Sequence, residues 1–118
     1  MQPAVSPSLT KERIREMKHS DLPALYALIS EKQNAKDLSF VLENLGFLPK
    51  DFDISPLKRL LYHANSNIRL LAIKNVGKLA KPEDISELFE KARHDDDTTV
   101  RREAVSALGR MRNEENIL

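Results

Sequence analysis

The sequence predicts an all-α fold, a right-handed α-α superhelix of about three helix pairs followed by one unpaired C-terminal helix. Three observations lead there. The stretch NIRLLAIKNVGKL, from Asn67 to Leu79, returns 32 residues later as TVRREAVSALGRM, from Thr99 to Met111. An earlier copy, LSFVLENLGFL from Leu38 to Leu48, lies 31 residues before the first. Between the copies a second set of apolar stripes recurs at the same interval, opening near Asp21, Asp53 and Asp84. A period of this length marks units that cannot bury an apolar face alone and must stack on their neighbours.

Along the shift of 32, Arg69 meets Arg101, Ala72 meets Ala104 and Gly77 meets Gly109. Five further pairs are conservative, so eight of thirteen positions agree in chemistry. Leu38, Val41, Leu42 and Leu45 fall at i, i+3, i+4 and i+7, one face of a helix, and each copy is read as an A helix. B helices follow from Leu22, Leu25 and Ile29, from Ile54, Leu57 and Leu61, and from Ile85, Leu88 and Ala92. Helix pairs are expected at about 9–31, 37–63 and 67–93, then a single helix at about 99–112. The first A helix carries few apolar residues, Leu9, Ile14 and Met17, as a polar terminal cap should. Pro3, Pro7 and two serines make residues 1–8 an expected disordered tail. The repeat domain spans 9–118, with repeats at about 9–33, 34–64 and 65–96 and a partial one at 97–118.

The punctuation repeats with the helices. Asp21, Asp53 and Asp84 fall where N-caps of B helices belong, and Glu87 three residues after Asp84 suggests a capping box. Pro23 and Pro56 fit first turns, where a missing N–H is tolerated. Asn34, Asn65 and Asp97 are expected to turn the chain and cap the A helices. Gly46, Gly77 and Gly109 are expected near A-helix C-termini, where positive φ is needed. Arg69 and Arg101 sit in first turns, against the helix dipole, and should pair with a link carboxylate such as Asp97 or a neighbour. Carrying the shift past Gly109 sets Glu115, Asn116 and Ile117 at the start of the next B helix. The last A helix, with Val100, Ala104, Val105, Leu108 and Met111, would then lack a mate. The expectation is a fragment of a longer protein, with self-association through that open end as one consequence.

The run DDTTVRREAVSALGRMRNEENI, from Asp96 to Ile117, resembles the HEAT-like repeats first grouped around phycobilisome lyases, and residues 65–85 resemble them nearly as well. The resemblance covers about 80 residues and fades before residue 38, where Leu38 stands in place of the motif's Arg. It implies a HEAT-like solenoid and leaves function open. One branch of it implies a bilin lyase-like enzyme. Another implies DNA-contacting arrays, among them alkylpurine glycosylases and accessory parts of DNA-modifying enzymes. The iron hydroxylases of this repeat class carry His-Glu pairs, whereas His19, His63 and His94 precede Ser20, Ala64 and Asp95.

Composition narrows the chemistry further. Lys and Arg number 19 against 18 for Asp and Glu, so no global field points to nucleic acid or a membrane surface. There is no cysteine, which removes thiolate chemistry and fits a cytoplasmic chain. No stretch approaches the roughly 18 apolar residues of a membrane span. Phosphate-loop, dinucleotide, nucleophile-elbow and HExxH strings are absent. Asp95-Asp96-Asp97 lacks the alternation and glycine of a calcium loop and reads as a solvated link. His63 and His94 read as helix-end groups facing free carbonyls. No catalytic, cofactor-binding or metal-ligating residue is expected, which leaves a non-catalytic scaffold binding another protein or another domain of its own chain. Candidate contacts are Arg59, Tyr62, His63, Lys91 and Arg93 on the B helices, because Tyr and Arg dominate binding hot spots. The alternative is a nucleic-acid module using Lys74, Lys78, Lys81, Arg101, Arg102, Arg110 and Arg112.

Overall fold

The computed structural model describes residues 5–115, the last four by backbone alone. Among the described residues every regular element is helical. In chain order they are α1 (Lys11–Ser20), α2 (Leu22–Leu28), α3 (Ala35–Glu43), α4 (Ser55–Arg59), α5 (Ser66–Leu79), α6 (Ile85–His94) and α7 (Thr98–Glu115). Short 3-10 turns at Leu60–Tyr62 and Pro82–Asp84 extend α4 and introduce α6. Helix α1 packs on α2, α5 lies among α3, α4 and α7, and α6 packs on α7. The two stripes per repeat meet in one core, with Ile14, Leu25, Leu38, Leu57, Ile68, Ile73, Leu88 and Val100 fully excluded from solvent.

Helix starts follow from local side-chain chemistry. Asn34 accepts from the Asp37 amide at 2.9 Å, and Asn65 from those of Asn67 and Ile68 at 2.9 and 3.3 Å. Asp97 accepts from the amides of Thr99 and Val100 at 2.8 and 3.3 Å. All three expected A-helix caps therefore satisfy amides that have no intrahelical partner. Thr10 does the same for α1 through the Arg13 amide at 3.1 Å. Among the B helices Asp21 caps α2 through the Ala24 amide, and Pro23 and Pro56 occupy first turns.

Other caps differ from expectation. Asp53 accepts from the Ser55 amide, yet α4 begins only at Ser55, behind Ile54. Asp84 makes no side-chain bond to α6; it reaches back to the Lys81 amide at 2.8 Å and across to Lys58 Nζ at 2.8 Å. Glu87 is no part of a capping box, because its carboxylate accepts from the Tyr62 hydroxyl. The second B helix is short: after five residues its ladder tightens into the 3-10 turn that buries Leu60 and Leu61.

The glycines also divide. Gly46, with φ of 59°, is left-handed and ends the turn after α3, as expected. Gly77 and Gly109 lie inside α5 and α7 without positive φ. Gly77 is there for space: a Cβ would stand 3.1 Å from the Ala107 Cβ on α7. With Ala72, Ala104 and Ala107 fully buried, it lets two successive A helices approach closely. At Gly109 a Cβ would meet nothing within 4 Å.

The expected tail at 1–8 is not all loose. Ser6 donates through its amide (2.9 Å) and hydroxyl (2.7 Å) to the buried Asp37, tying the segment before α1 to the start of α3. Residues 1–4 lie outside the described residues. On the other side of α3 the side-chain amide of Asn75, itself buried, donates to the Leu42 carbonyl at 3.0 Å, and the amines of Lys18 and Lys78 donate to the carbonyls of Leu45 (2.8 Å) and Gly46 (2.7 Å). The polar groups at the end of α3 thus find donors on the helices to either side.

The two glycine environments separate in a denaturation experiment. Gly46→Ala should cost about 1–2 kcal/mol, since a left-handed backbone penalises a Cβ, whereas Gly109→Ala should add roughly 0.5–1 kcal/mol by removing an unfavourable helix-interior glycine. Urea midpoints of the two variants moving the same way would contradict this assignment.

Candidate partner-binding surface

A buried ion pair positions the face formed by α4, the 3-10 turn and α6. Arg69, in the first turn of α5, is 8% exposed, and Asp95, in the link before α7, is 7% exposed. The guanidinium donates to both Asp95 oxygens through Nε (3.0 Å) and Nη2 (3.1 Å), and through Nη2 to Asp96 at 2.8 Å. Its remaining nitrogen donates to the carbonyls of His63 (2.8 Å) and Ala64 (3.1 Å). Arg69 thus answers the expectation of a link carboxylate, but with Asp95 and Asp96, because Asp97 is spent on the α7 cap. The acidic link is correspondingly less solvated than expected. Burial pushes the Asp95 carboxyl upward, but the Arg69 hydrogen bonds, the Asp97 amide and the charges of Arg69 and Lys91 outweigh it and hold it below the usual carboxylate range.

With the links fixed, Tyr62 stands 63% exposed between α4 and α6. Its hydroxyl donates to Glu87, and the Lys91 ammonium lies over its ring, 4.4 Å from the centroid. The Glu87 hydrogen bond, burial and the Glu87 charge push the Tyr62 phenol up to about 12, so it is neutral and a donor at physiological pH. Lys58 closes the network, 2.8 Å from Asp84 and 3.3 Å from Glu87. A shallow cavity of 170 Å³ is lined by Tyr62, Glu87, Glu90, Lys91, His94 and Asp95. On another flank of α6 Arg93 covers the ring of Phe89, which is 49% exposed, at 5.8 Å. The surface therefore offers two aromatic rings, each beside a cation, held in place by packing and charge.

The residues read from sequence as one patch are distributed over four places. Tyr62 and Lys91 meet directly, while Arg93 pairs with Phe89. Arg59 lines a separate cavity of 270 Å³ against α2, with Tyr26, Ala27, Ser30 and Glu31 among its walls. His63 points its Nδ1 at its own turn, accepting from the Asn65 amide at 3.0 Å, and His94 lies 3.4 Å from Glu90. Among the described residues neither imidazole hydrogen-bonds a helix-end carbonyl. Lys58, Glu87 and Phe89 were missed; Lys58 precedes Asp84 by the same 26 residues that separate Arg69 from Asp95, a contact offset that the repeat period does not display.

The nucleic-acid candidates are more scattered. Lys74, Lys81 and Arg102 are exposed. Lys78 donates to Gly46 and Asn75, Arg101 to the Asp95 carbonyl and Thr98, and Arg110 to Glu103. The side chain of Arg112 lies outside the described residues. Among those that are described, no three His, Asp or Glu side chains are grouped to hold a metal ion, and no helix is long and apolar enough to cross a membrane.

Removing one partner of the buried pair should be costly. Arg69→Met leaves a buried carboxylate without its fork and should lose about 3–5 kcal/mol in urea denaturation, with much of that recovered when Asp95→Leu is added. Because Asp95 is more acidic folded than unfolded, its contribution is fully present above the ordinary aspartate pKa of about 3.9 and is lost as pH falls from there through its lower folded value. Asp95→Asn should flatten the loss of stability below about pH 4, and an acid transition identical to that of the unaltered chain would refute the assignment.

A repeat period, helix caps at matching offsets and an Arg–Asp clamp between successive links together describe a helical repeat protein. The family model described as HEAT repeats matches residues 54–117, more than half of the chain. No curated protein and no solved structure matches it. The chain belongs to the HEAT repeat family.

Proposed function

We propose that this chain is a non-catalytic HEAT-like scaffold that binds another protein, or another domain of its own chain, through the B-helix face centred on Tyr62. The Tyr62–Lys91–Glu87–Lys58 network carries the reading. An exposed tyrosine costs little entropy to immobilise on binding when its hydroxyl and ring already have partners. Arg93 and Phe89 extend the surface along α6, and Arg59 lies beyond it toward α2. In a right-handed superhelix the B helices line the concave side, where a partner segment finds the most contact area. HEAT repeats are commonly scaffolds for protein interaction.

The nucleic-acid reading draws on Lys74, Lys81 and Arg102, since Lys78, Arg101 and Arg110 already donate within the chain. Duplex binding carried by such cations would weaken by about 0.9 log units per log unit of salt for each phosphate contacted.

Capture of a partner by the immobilised chain should fall by about thirtyfold, the equivalent of roughly 2 kcal/mol, when Tyr62→Ala and Lys91→Ala are combined. Arg102→Ala, on α7, should leave it unchanged. Unaltered capture by the double variant, with helicity preserved by circular dichroism, would remove the Tyr62 face from consideration. Salt-sensitive duplex binding lost on Lys74→Ala with Arg102→Ala would favour nucleic acid.

A further inference from the structure

Position 37 departs from its copies in the repeat. The shifts that align the A helices bring Asp37 onto Ile68 and Val100, both fully buried, so a carboxylate stands where the other copies place a core side chain. Asp37 is itself only 6% exposed. Its Oδ1 accepts from the Ser6 amide at 2.9 Å, and its Oδ2 from the Ser6 hydroxyl at 2.7 Å and the Asn34 side-chain amide at 3.2 Å. The Ser6 hydroxyl, then the Ser6 amide, hold the Asp37 carboxyl below the usual carboxylate range against burial, and Asn34 adds to them. Ser6 is thus what chiefly makes a buried charge tolerable at a core position. The segment after Ser6 turns back on itself, the Leu9 amide donating to the Ser6 carbonyl at 2.9 Å, with Pro7 and Ser8 exposed at the tip. Ser6, Ser8 and Leu9 form one side of a cavity of 340 Å³, and Met17, Leu28 and Val41 are among its other walls.

From this latch we infer that Ser6 is a phosphorylation site, and that its modification by a proline-directed protein kinase releases the segment of residues 5–9 from α3. In the transfer the Ser6 Oγ attacks the γ-phosphorus of a nucleoside triphosphate. The new O–P bond replaces the bond to the departing nucleoside diphosphate, and the hydroxyl proton passes to a base of the kinase. That proton is the one Asp37 accepts, so the reaction deletes a hydrogen bond and sets a group of about −1.5 to −2 charge beside a buried carboxylate. Like charges so close, with little water between them, repel strongly. Arg13 and Lys36, which line the cavities on either side of the segment, are exposed, and solvent screens the attraction they offer the phosphate. While latched, Ser6 is half-buried, so the kinase acts during transient opening and the phosphate then holds the segment open. The sequence has one other Ser-Pro pair, Ser55-Pro56, but it lies in the first turn of α4 with Pro56 buried, and cannot extend without unwinding that helix. The cavity beneath the segment shares no residue with the Tyr62 surface, so the switch stands or falls separately from it.

The test incubates the full chain with a proline-directed serine kinase and adenosine triphosphate and maps the product by mass spectrometry. Phosphate should appear on Ser6 and not on Ser55. Asp37→Ile, which installs the residue of the matching position on α5, removes the latch while keeping the core filled, and should be phosphorylated several-fold faster. In the phosphorylated chain, exchange of the Ser6 and Leu9 amides with solvent should quicken by at least about tenfold, as loss of one hydrogen bond to a charged group implies. Asp37→Asn keeps an acceptor for the Ser6 amide but removes the like charge, so phosphorylation should quicken exchange far less in that variant. Modification of Ser55 in preference to Ser6, or of neither, would overturn the proposal, as would a rate that Asp37→Ile leaves unchanged. Amides that stay protected after phosphorylation would overturn it too, since Arg13 or Lys36 would then be holding the phosphate in place. So would a loosening equal in Asp37→Asn and the unaltered chain, which would mean that the phosphate does not act through Asp37.

Discussion

The pairing of Arg69 with Asp95 and Asp96 is the constraint on which the rest of the array depends. One guanidinium spans two successive inter-repeat links, donating to backbone carbonyls in the link before α5 and to carboxylates in the link before α7. A buried cation is tolerable only when its donors are met, so this fork admits one arrangement of the two links. Sliding α7 by a turn against α5 would strand both charges and move Ala107 away from Gly77. Charge therefore sets the register, and the small residues set the separation. The pair need not add much net stability, because desolvation offsets most of its attraction, but it penalises the alternatives heavily.

Where the repeat fades, the fastening changes. Leu38 occupies the place of Arg69 in the preceding copy, and no equivalent fork can form there. That part of the molecule is held instead by neutral or singly charged donors: Ser6 on Asp37, Asn75 on the Leu42 carbonyl, and two lysines on the carbonyls of Leu45 and Gly46. Each satisfies a polar group at one end of α3. Lys18 and Lys78 each have their pKa lowered, first by burial and then by a neighbouring cation, so the backbone carbonyls hold them at some electrostatic cost. Sequence resemblance is lost at this junction while the physical requirement, closure of open helix ends, is met by other residues.

What could be read from the sequence was the chemistry that acts within a few residues. Asn34, Asn65 and Asp97 cap because a short side chain at the start of a helix reaches amides two or three positions on, whatever else packs nearby. Gly46 was legible for the same reason. Asp84 was not, because its carboxylate chose between the α6 amides and a lysine 26 residues away, and the lysine with the Lys81 amide prevailed. Gly77 looked like a terminator and proved to be a gap for Ala107, a role that depends on another helix. At the candidate surface Tyr62 and Lys91 were found through composition, but Glu87 had been assigned locally to a cap. Arg59 and Tyr62, three residues apart in sequence, line different cavities because α4 meets α2 on one side and α6 on the other.

Near-neutral total charge is a poor guide to what such a surface can bind, because the fold consumes its charges unequally. Asp84 and Glu87 serve Lys58, Asp95 and Asp96 serve Arg69, and Glu103 serves Arg110. Lys58 and Arg69 each meet two carboxylates, so what each cluster leaves over differs from a neutral pair. The charges available to a partner are those left after internal pairing. Position then matters more than number. Lys91 is shared between Asp95 and the face of Tyr62, so it stiffens an aromatic surface, whereas Arg101 is held by a carbonyl and a hydroxyl that leave its charge unneutralised. A cation fixed in direction but not in charge has already lost the rotamer freedom that an exposed arginine must surrender on binding.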